Sequence, residues 1–235
     1  RAMAINGQVW AERLNAVAGA NSVDYGSVTP TAIAGVGAAP QVAIDVGQLG
    51  SMYGGGATRL IGTEQGLGVN IGGNLAALTG SLSLAANGDV TITPTGRVQS
   101  AADANISAPN INNQGVITSP GNVTVSGSTT NSGTVVAGGN ATITGPQVTN
   151  SGTIAAGTLS GGTSGTLVAG GGNGIQTVGG TITNQAGGVI RGSFLGGNGD
   201  NTNAITSTAA TTVNNSGQIL GVAFGSTSNV RTNGV

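Results

Sequence analysis

A five-residue phrase, Asn-x-Gly-x-(Ile/Val), returns at a nearly fixed interval and constrains the fold more than any other feature of the chain. It reads Asn113-Gln114-Gly115-Val116-Ile117, Asn131-Ser132-Gly133-Thr134-Val135, Asn150-Ser151-Gly152-Thr153-Ile154 and Asn215-Ser216-Gly217-Gln218-Ile219. Looser copies are Thr95-Gly96-Arg97-Val98 and the stretch from Asn184 to Ile190. The apolar residues that close the copies fall at 98, 117, 135, 154, 190 and 219, in steps of 19, 18, 19, 36 and 29. A second phrase, Gly121-Asn122-Val123-Thr124-Val125 and Gly139-Asn140-Ala141-Thr142-Ile143, runs in step with the first and at the same interval. Self-similarity at a fixed interval marks a chain of stacked units, each too small to close a core alone. The step of 36 is expected to be two units with the middle copy degraded near 167–175. The step of 29 is expected to be one unit enlarged by a loop at 195–204, LGGNGDNTNA.

Inside each unit, apolar and polar residues alternate over three to five positions, as in Leu82-Ser83-Leu84 and Val90-Thr91-Ile92, between Gly, Asn and Pro. Period-two alternation means strands. The predicted fold is therefore all-β, a right-handed parallel β-helix with coils of about 18–19 residues. About eleven or twelve coils stacked at ~4.8 Å would make a rod roughly 55 Å long. Composition fits this. The 46 glycines show no period of three, which excludes a collagen helix. With two Phe, two Tyr and one Trp, core volume must come from Val, Ile, Leu and Ala.

The repeated phrase also supplies the candidate structural site. Asn113, Asn131, Asn150 and Asn215 are expected to stack inside a corner as an asparagine ladder, with Ile117, Val135, Ile154 and Ile219 forming one column of the core. The glycine of the phrase is expected to supply a tight or left-handed corner. The competing account gives Asn and Gly only a turn-forming role.

Catalytic chemistry finds few residues to work with. The chain has no His, Cys or Lys, so His-based triads and His/Cys metal centres are unavailable. The acids are Glu12, Asp24, Asp45, Glu64, Asp89, Asp103 and Asp200. Asp45 and Glu64, 19 apart, and Asp24, 21 before Asp45, admit a carboxylate row, although a solvated face paired with Arg13 and Arg59 is the stronger expectation. From Ala104 to Val235 the only charged side chains are Arg191, Asp200 and Arg231. The run Gly170–Gly174 has no Lys after it for a phosphate loop, and Gly196–Asp200 approaches a calcium nonapeptide once only. Thr91-Ile92-Thr93, Thr142-Ile143-Thr144 and Thr181-Ile182-Thr183 suggest ice binding as a minor alternative, weakened by separations of 51 and 39. A net charge of −1 gives no electrostatic reason to expect nucleic acid. No apolar stretch approaches the ~20 residues of a membrane helix.

Positions 1–75 are less regular. Residues 11–20, AERLNAVAGA, read equally as an amphipathic helix or as a strand with Leu14, Ala16 and Ala18 inward. The wording of residues 14–25 and of 44–70, IDVGQLGSMYGGGATRLIGTEQGLGVN, resembles the filamentous haemagglutinin family. These are the large exoproteins of two-partner secretion, including contact-dependent growth-inhibition proteins. The resemblance implies that 1–75 is the closing part of the secretion domain, that residues 11–20 are strand, and that 76–235 is a haemagglutinin-type repeat stalk. It implies export through an outer-membrane β-barrel transporter and a place outside, or on the surface of, a Gram-negative cell. That family's Asn-Pro-Asn motifs do not occur here, so its export-recognition residues have no counterparts.

Together these observations lead to the expectation of a structural stalk or adhesin segment contacting a host or neighbouring cell. The expected chain is not an enzyme, and it needs no cofactor, metal, nucleic acid or membrane insertion. A β-helical passenger of an autotransporter or other surface adhesin is the principal alternative.

Overall fold

The computed structural model describes residues 1–157, 174–177, 180–195, 201–224 and 231–233. All regular structure among them is β-strand, and most of it winds around one axis, up to three strands to a coil. On one face nine strands stack in order: Gln8–Ala11, Ser51–Gly54, Asn74–Ala77, Arg97–Ser100, Val116–Ser119, Thr134–Ala137, Thr153–Ala156, Val189–Leu195 and Gln218–Phe224. Every neighbouring pair on this face is parallel. The other two faces belong to one 15-stranded sheet, because the long strands Ala104–Asn113 and Val123–Asn131 bend from one face onto the next across a register shift between Ser107 and Asn110. The architecture is a parallel β-helix.

Alternation explains why the chain closes this way. Every second side chain of a strand points inward, and parallel in-register pairing sets each one over its equivalent in the coil below. One inner column runs Val9, Met52, Leu75, Val98, Ile117, Val135, Ile154, Ile190, Ile219. A second runs Ala16, Leu60, Leu84, Ile106, Val125, Ile143. These residues form one continuous buried core, with Val9 and Ile219 half-buried at its two ends. Residues 14–18 are strand, with Leu14, Ala16 and Ala18 buried, so the helical alternative for 11–20 does not occur.

Coil length differs from expectation. Spacings of 18 and 19 hold only from about Arg97 to Thr153. Earlier coils are longer, since Ser51 pairs with Asn74 and Asn74 with Arg97, a spacing of 23 in both cases. The first is longest, with Gln8 paired to Ser51, because an antiparallel hairpin of Asn21–Val23 and Pro30–Ala32 leaves the coil. The step of 36 is a single coil, not two: Thr153 pairs directly with Val189. The degraded middle copy expected at 167–175 lies largely outside the described residues, and no rung stands between those two strands. The step of 29 is one enlarged coil, with Val189 against Gln218. Within the expected loop at 195–204, Asn201–Asn203 is a strand paired with Arg231–Asn233, and 196–200 lie outside the described residues. Nine rungs among the described residues give a rod of about 38 Å at ~4.8 Å per rung, shorter than expected.

Of the two corners expected for the repeated glycines, the tight one occurs and the left-handed one does not. Gly115, Gly133, Gly152 and Gly217 are not left-handed. Each stacks so closely on the coil below that a methyl group would fall on a backbone carbonyl oxygen: that of Gly96 for Gly115, of Gly115 for Gly133, of Gly133 for Gly152 and of Gly188 for Gly217. The corner needs an absent side chain rather than an unusual φ. Gly133→Ala is accordingly expected to lower stability by about 3 kcal/mol, the upper end for inserting a methyl into a packed site. Gly7→Ala, where a methyl meets nothing within 4 Å, should stay within about 0.5 kcal/mol. Urea unfolding of both variants checks this, and equal effects would contradict it.

Candidate functional site

The inner column nearest the corner changes chemistry partway along the rod. It begins as Ile5, Val46, Ile71 and Ile92 and continues as Asn113, Asn131, Asn150, Asn184 and Asn215. Asn113, Asn131 and Asn150 are 0 % exposed. Each amide nitrogen donates along the axis to the next carbonyl: Asn113 to Asn131 at 2.7 Å, Asn131 to Asn150 at 2.8 Å, Asn150 to Asn184 at 2.9 Å and Asn184 to Asn215 at 2.8 Å. Each Nδ2 also reaches a backbone carbonyl of the coil above, on Thr134, Thr153, Val189 and Gln218 in turn. Asn131 and Asn150 donate in addition to the carbonyl two residues on, at Gly133 and Gly152. The buried Oδ1 of Asn113 accepts no hydrogen bond, since the coil below offers Ile92.

Asn184 opens one of the looser copies of the phrase but was not placed in the expected ladder. It precedes its marker, Ile190, by six residues instead of four, and its nitrogen reaches the carbonyl of Gly188 rather than that of the residue two on. A search for Asn before each marker at variable spacing would have found it. A second stack on an outer corner was also missed. Oδ1 of Asp103 accepts from the backbone N–H of Asn122 at 2.7 Å, and Oδ1 of Asn122 accepts from that of Asn140 at 2.9 Å. The signal was present in the Gly-Asn phrase at 121 and 139. Ile117, Val135 and Ile154 are Cα partners in successive coils, and Ile190 joins Ile154 to Ile219.

The acids do not gather. Asp45 accepts from Asn70, Asp89 from Asn110, and Asp24 from the backbone N–H and hydroxyl of Ser27. Glu64 is paired with Arg1, and also accepts the Ala20 N–H at 3.0 Å. The carboxylate row suggested by the spacing is therefore absent, and the cation that meets Glu64 is Arg1, not Arg13 or Arg59. Spacing misled here because the coils around these acids are longer than those that carry the repeated phrase. Among the described residues no three acids come together as a metal site would require. Asp200 and the run Gly170–Gly172, with Asn173, lie outside the described residues. The Thr-x-Thr pairs split between faces: Thr91 and Thr183 share one outer column with Asn112, Thr130 and Thr149, whereas Thr142 lies on another. Thr91, Asn112, Thr130 and Thr149 of that column, with Asp89, Asn110, Ser128 and Gln147, border a shallow polar trough.

Two expectations follow from this geometry. Asn131→Ala leaves one amide N–H of Asn113 and the Asn150 oxygen without their partners, and should cost about 2–4 kcal/mol in urea unfolding. The hydrogen bond from Arg1 lowers the Glu64 carboxyl below its ordinary value, opposed in part by desolvation. A depressed carboxyl contributes stability that is complete above its unfolded value and is lost as pH falls through its folded value. Protection of the Ala20 amide from hydrogen exchange should thus hold above about pH 5 and fade below the ordinary carboxylate range. In Glu64→Gln it should be weak at every pH.

Comparison with known proteins yields partial matches. Over 94 residues the chain is 48% identical to a protein named tRNA nuclease CdiA-2 from Burkholderia pseudomallei, covering 39% of this chain and 3% of that one. Over 130 residues it is 43% identical to 16S rRNA endonuclease CdiA from Enterobacter cloacae, covering 55% and 4%. Over 124 residues it is 37% identical to Toxin CdiA from Yersinia pestis, covering 52% and 4%. No family model and no solved structure matches. The chain spans about 3–4% of the length of these relatives. They are contact-dependent inhibition proteins of the two-partner type. The expectation of a non-enzymatic stalk or adhesin is overturned, together with its autotransporter and ice-binding alternatives, because the relatives are named as nucleases. Leaving nucleic acid out of account is overturned with it: over the part that matches, this chain is similar to proteins named for cleaving tRNA and 16S rRNA.

Proposed function

We propose that the chain is a segment of a secreted, RNA-cleaving toxin of the CdiA kind, released by or displayed on a Gram-negative cell and acting on a neighbour it touches. The observation that carries this is the 48% identity over 94 residues to a tRNA nuclease CdiA-2, repeated at 43% over 130 residues with a 16S rRNA endonuclease. RNA cleavage is here a property of the longer protein. Within it, residues 1–75 close the secretion domain and 76–235 open the repeat region. The phrases at 14–25 and 44–70 support that division, as does the shortening of the coils beyond Arg97.

Export through an outer-membrane β-barrel partner suits this fold on physical grounds. Each finished coil presents a row of unpaired backbone groups to the next, so a chain delivered in order folds one rung at a time. Contacts close over one coil rather than across the whole chain, which keeps the loop-closure entropy of each step small.

Co-culture tests the proposal. Cells making the full-length protein and its transporter are grown with a susceptible neighbour, and the neighbour's RNA is examined on gels. Specific cleavage of tRNA or 16S rRNA is expected, and only when cells touch and the transporter is present. Intact RNA in neighbours contacted by cells that demonstrably export the protein would overturn it.

A further inference from the structure

The asparagine ladder spans two long C-terminal steps in sequence without losing its hydrogen bonds. Its steps are 18, 19, 34 and 31 residues, yet the four amide contacts stay between 2.7 and 2.9 Å. In the short coils, turns of a few residues tie each strand to the one before it, and Gly133 and Gly152 seat against the carbonyl below. After the long steps the corner glycines still seat on the coil below, Gly188 on the carbonyl of Asn150 and Gly217 on that of Gly188, but the stretch before them is long enough to feed the strand in at either register. Lengthening or shortening the loop by two residues changes its closure entropy very little. A slip of two residues also keeps the same faces inward.

Aliphatic contacts alone oppose that slip by little. On the face concerned the inward residues around the ladder are Val148, Ile182 and Val213, and on the re-entering strand the slip exchanges a single contact, Val148 meeting Gly180 in place of Ile182. The asparagines oppose it by more. A slip would set Asn150 against Ile182 and bury its amide with no acceptor from the ladder, a cost no aliphatic contact repays. We propose that Asn184 and Asn215 are register marks: downstream of Ile175–Thr177 and Ile205–Ser207, the first strands to pair with the coil below after the long steps that follow Ala156 and Leu195, they specify the register in which the chain continues the β-helix. The same logic governs a single buried asparagine in a coiled coil, which selects register at a cost in stability. The first long coil carries a different mark, in which Arg1 pairs with Glu64 and its Nη1 donates to the carbonyls of Val36, Gly37 and Ala38. No asparagine stands at Ile5 or Val46 of that coil.

Paired cysteines read register directly, since the chain has none of its own. Outward Thr149 and Thr183 are Cα partners, whereas Thr149 faces Thr181 only after a two-residue slip. Partners on adjacent strands lie about 4.8 Å apart, within disulfide reach. In the full chain, Thr149→Cys/Thr183→Cys should crosslink at least tenfold more than Thr149→Cys/Thr181→Cys. Adding Asn184→Val should bring the two yields to within about twofold while β-sheet circular dichroism persists. At the short coil, Asn131→Val should leave the preference for Asn112→Cys/Thr130→Cys over Asn112→Cys/Ser128→Cys unchanged. If Asn184→Val does not fold, Asn150→Val/Asn184→Val removes both amides at that junction and is read the same way. An unchanged crosslink ratio in the folded variant would overturn the proposal, as would slippage at the short coil or loss of folding in both variants. The last result would make the ladder a requirement for folding rather than a choice among registers.

Discussion

The structure depends on hydrogen bonding between coils. In each strand the backbone N–H and C=O groups point along the rod axis, so a coil satisfies them only through the coils above and below. No coil is a folding unit by itself. Once parallel pairing is imposed, equivalent inward side chains must lie over one another, and the core becomes a set of columns rather than a jigsaw of unlike neighbours. The column from Val9 to Ile219 is the plainest result. The glycine corners follow from the same spacing, because a turn stacked that tightly has no room for a side chain between one peptide and the next.

The asparagine column shows how such a core admits polarity. A buried amide is costly when alone, but in a stack each carbonyl meets the nitrogen of the coil below. The cost is confined to the end of the stack, where Oδ1 of Asn113 faces Ile92 without a donor. The column is aliphatic through four coils and amide through the next five, so the two halves of the rod differ inside while sharing one backbone plan.

Much of this was legible in the residues, and the rest failed for identifiable reasons. Alternation and a recurring corner phrase sufficed for the parallel β-helix, because stacked pairing turns sequence period into spatial register. The markers at 98, 117, 135, 154, 190 and 219 occupy one column for that reason. The spacing of 36 looked like two units because it is twice 18, but a coil absorbs an insertion of any length without changing its pairing. Asn184 escaped because two added residues lengthen its corner. The pairing of Glu64 with Arg1 joins residues 63 apart around an irregular coil, where repeat spacing carries no information. The nuclease connection rests on relatives of which this chain matches about 3–4%, and its own acids and bases are too sparse to suggest it.

Electron–electron distance measurement between spin labels on Thr118 and Leu220 tests the stacking most directly. These outward positions are linked through Val136, Ala155 and Arg191 in successive rungs. Four steps predict a narrow distribution at about 19 Å, given ~4.8 Å per rung. A distribution centred one rung farther out, at about 24 Å, would mean that the stretch between Ile154 and Ile190 forms an extra coil. A broad one would mean that the coils do not stack as a column.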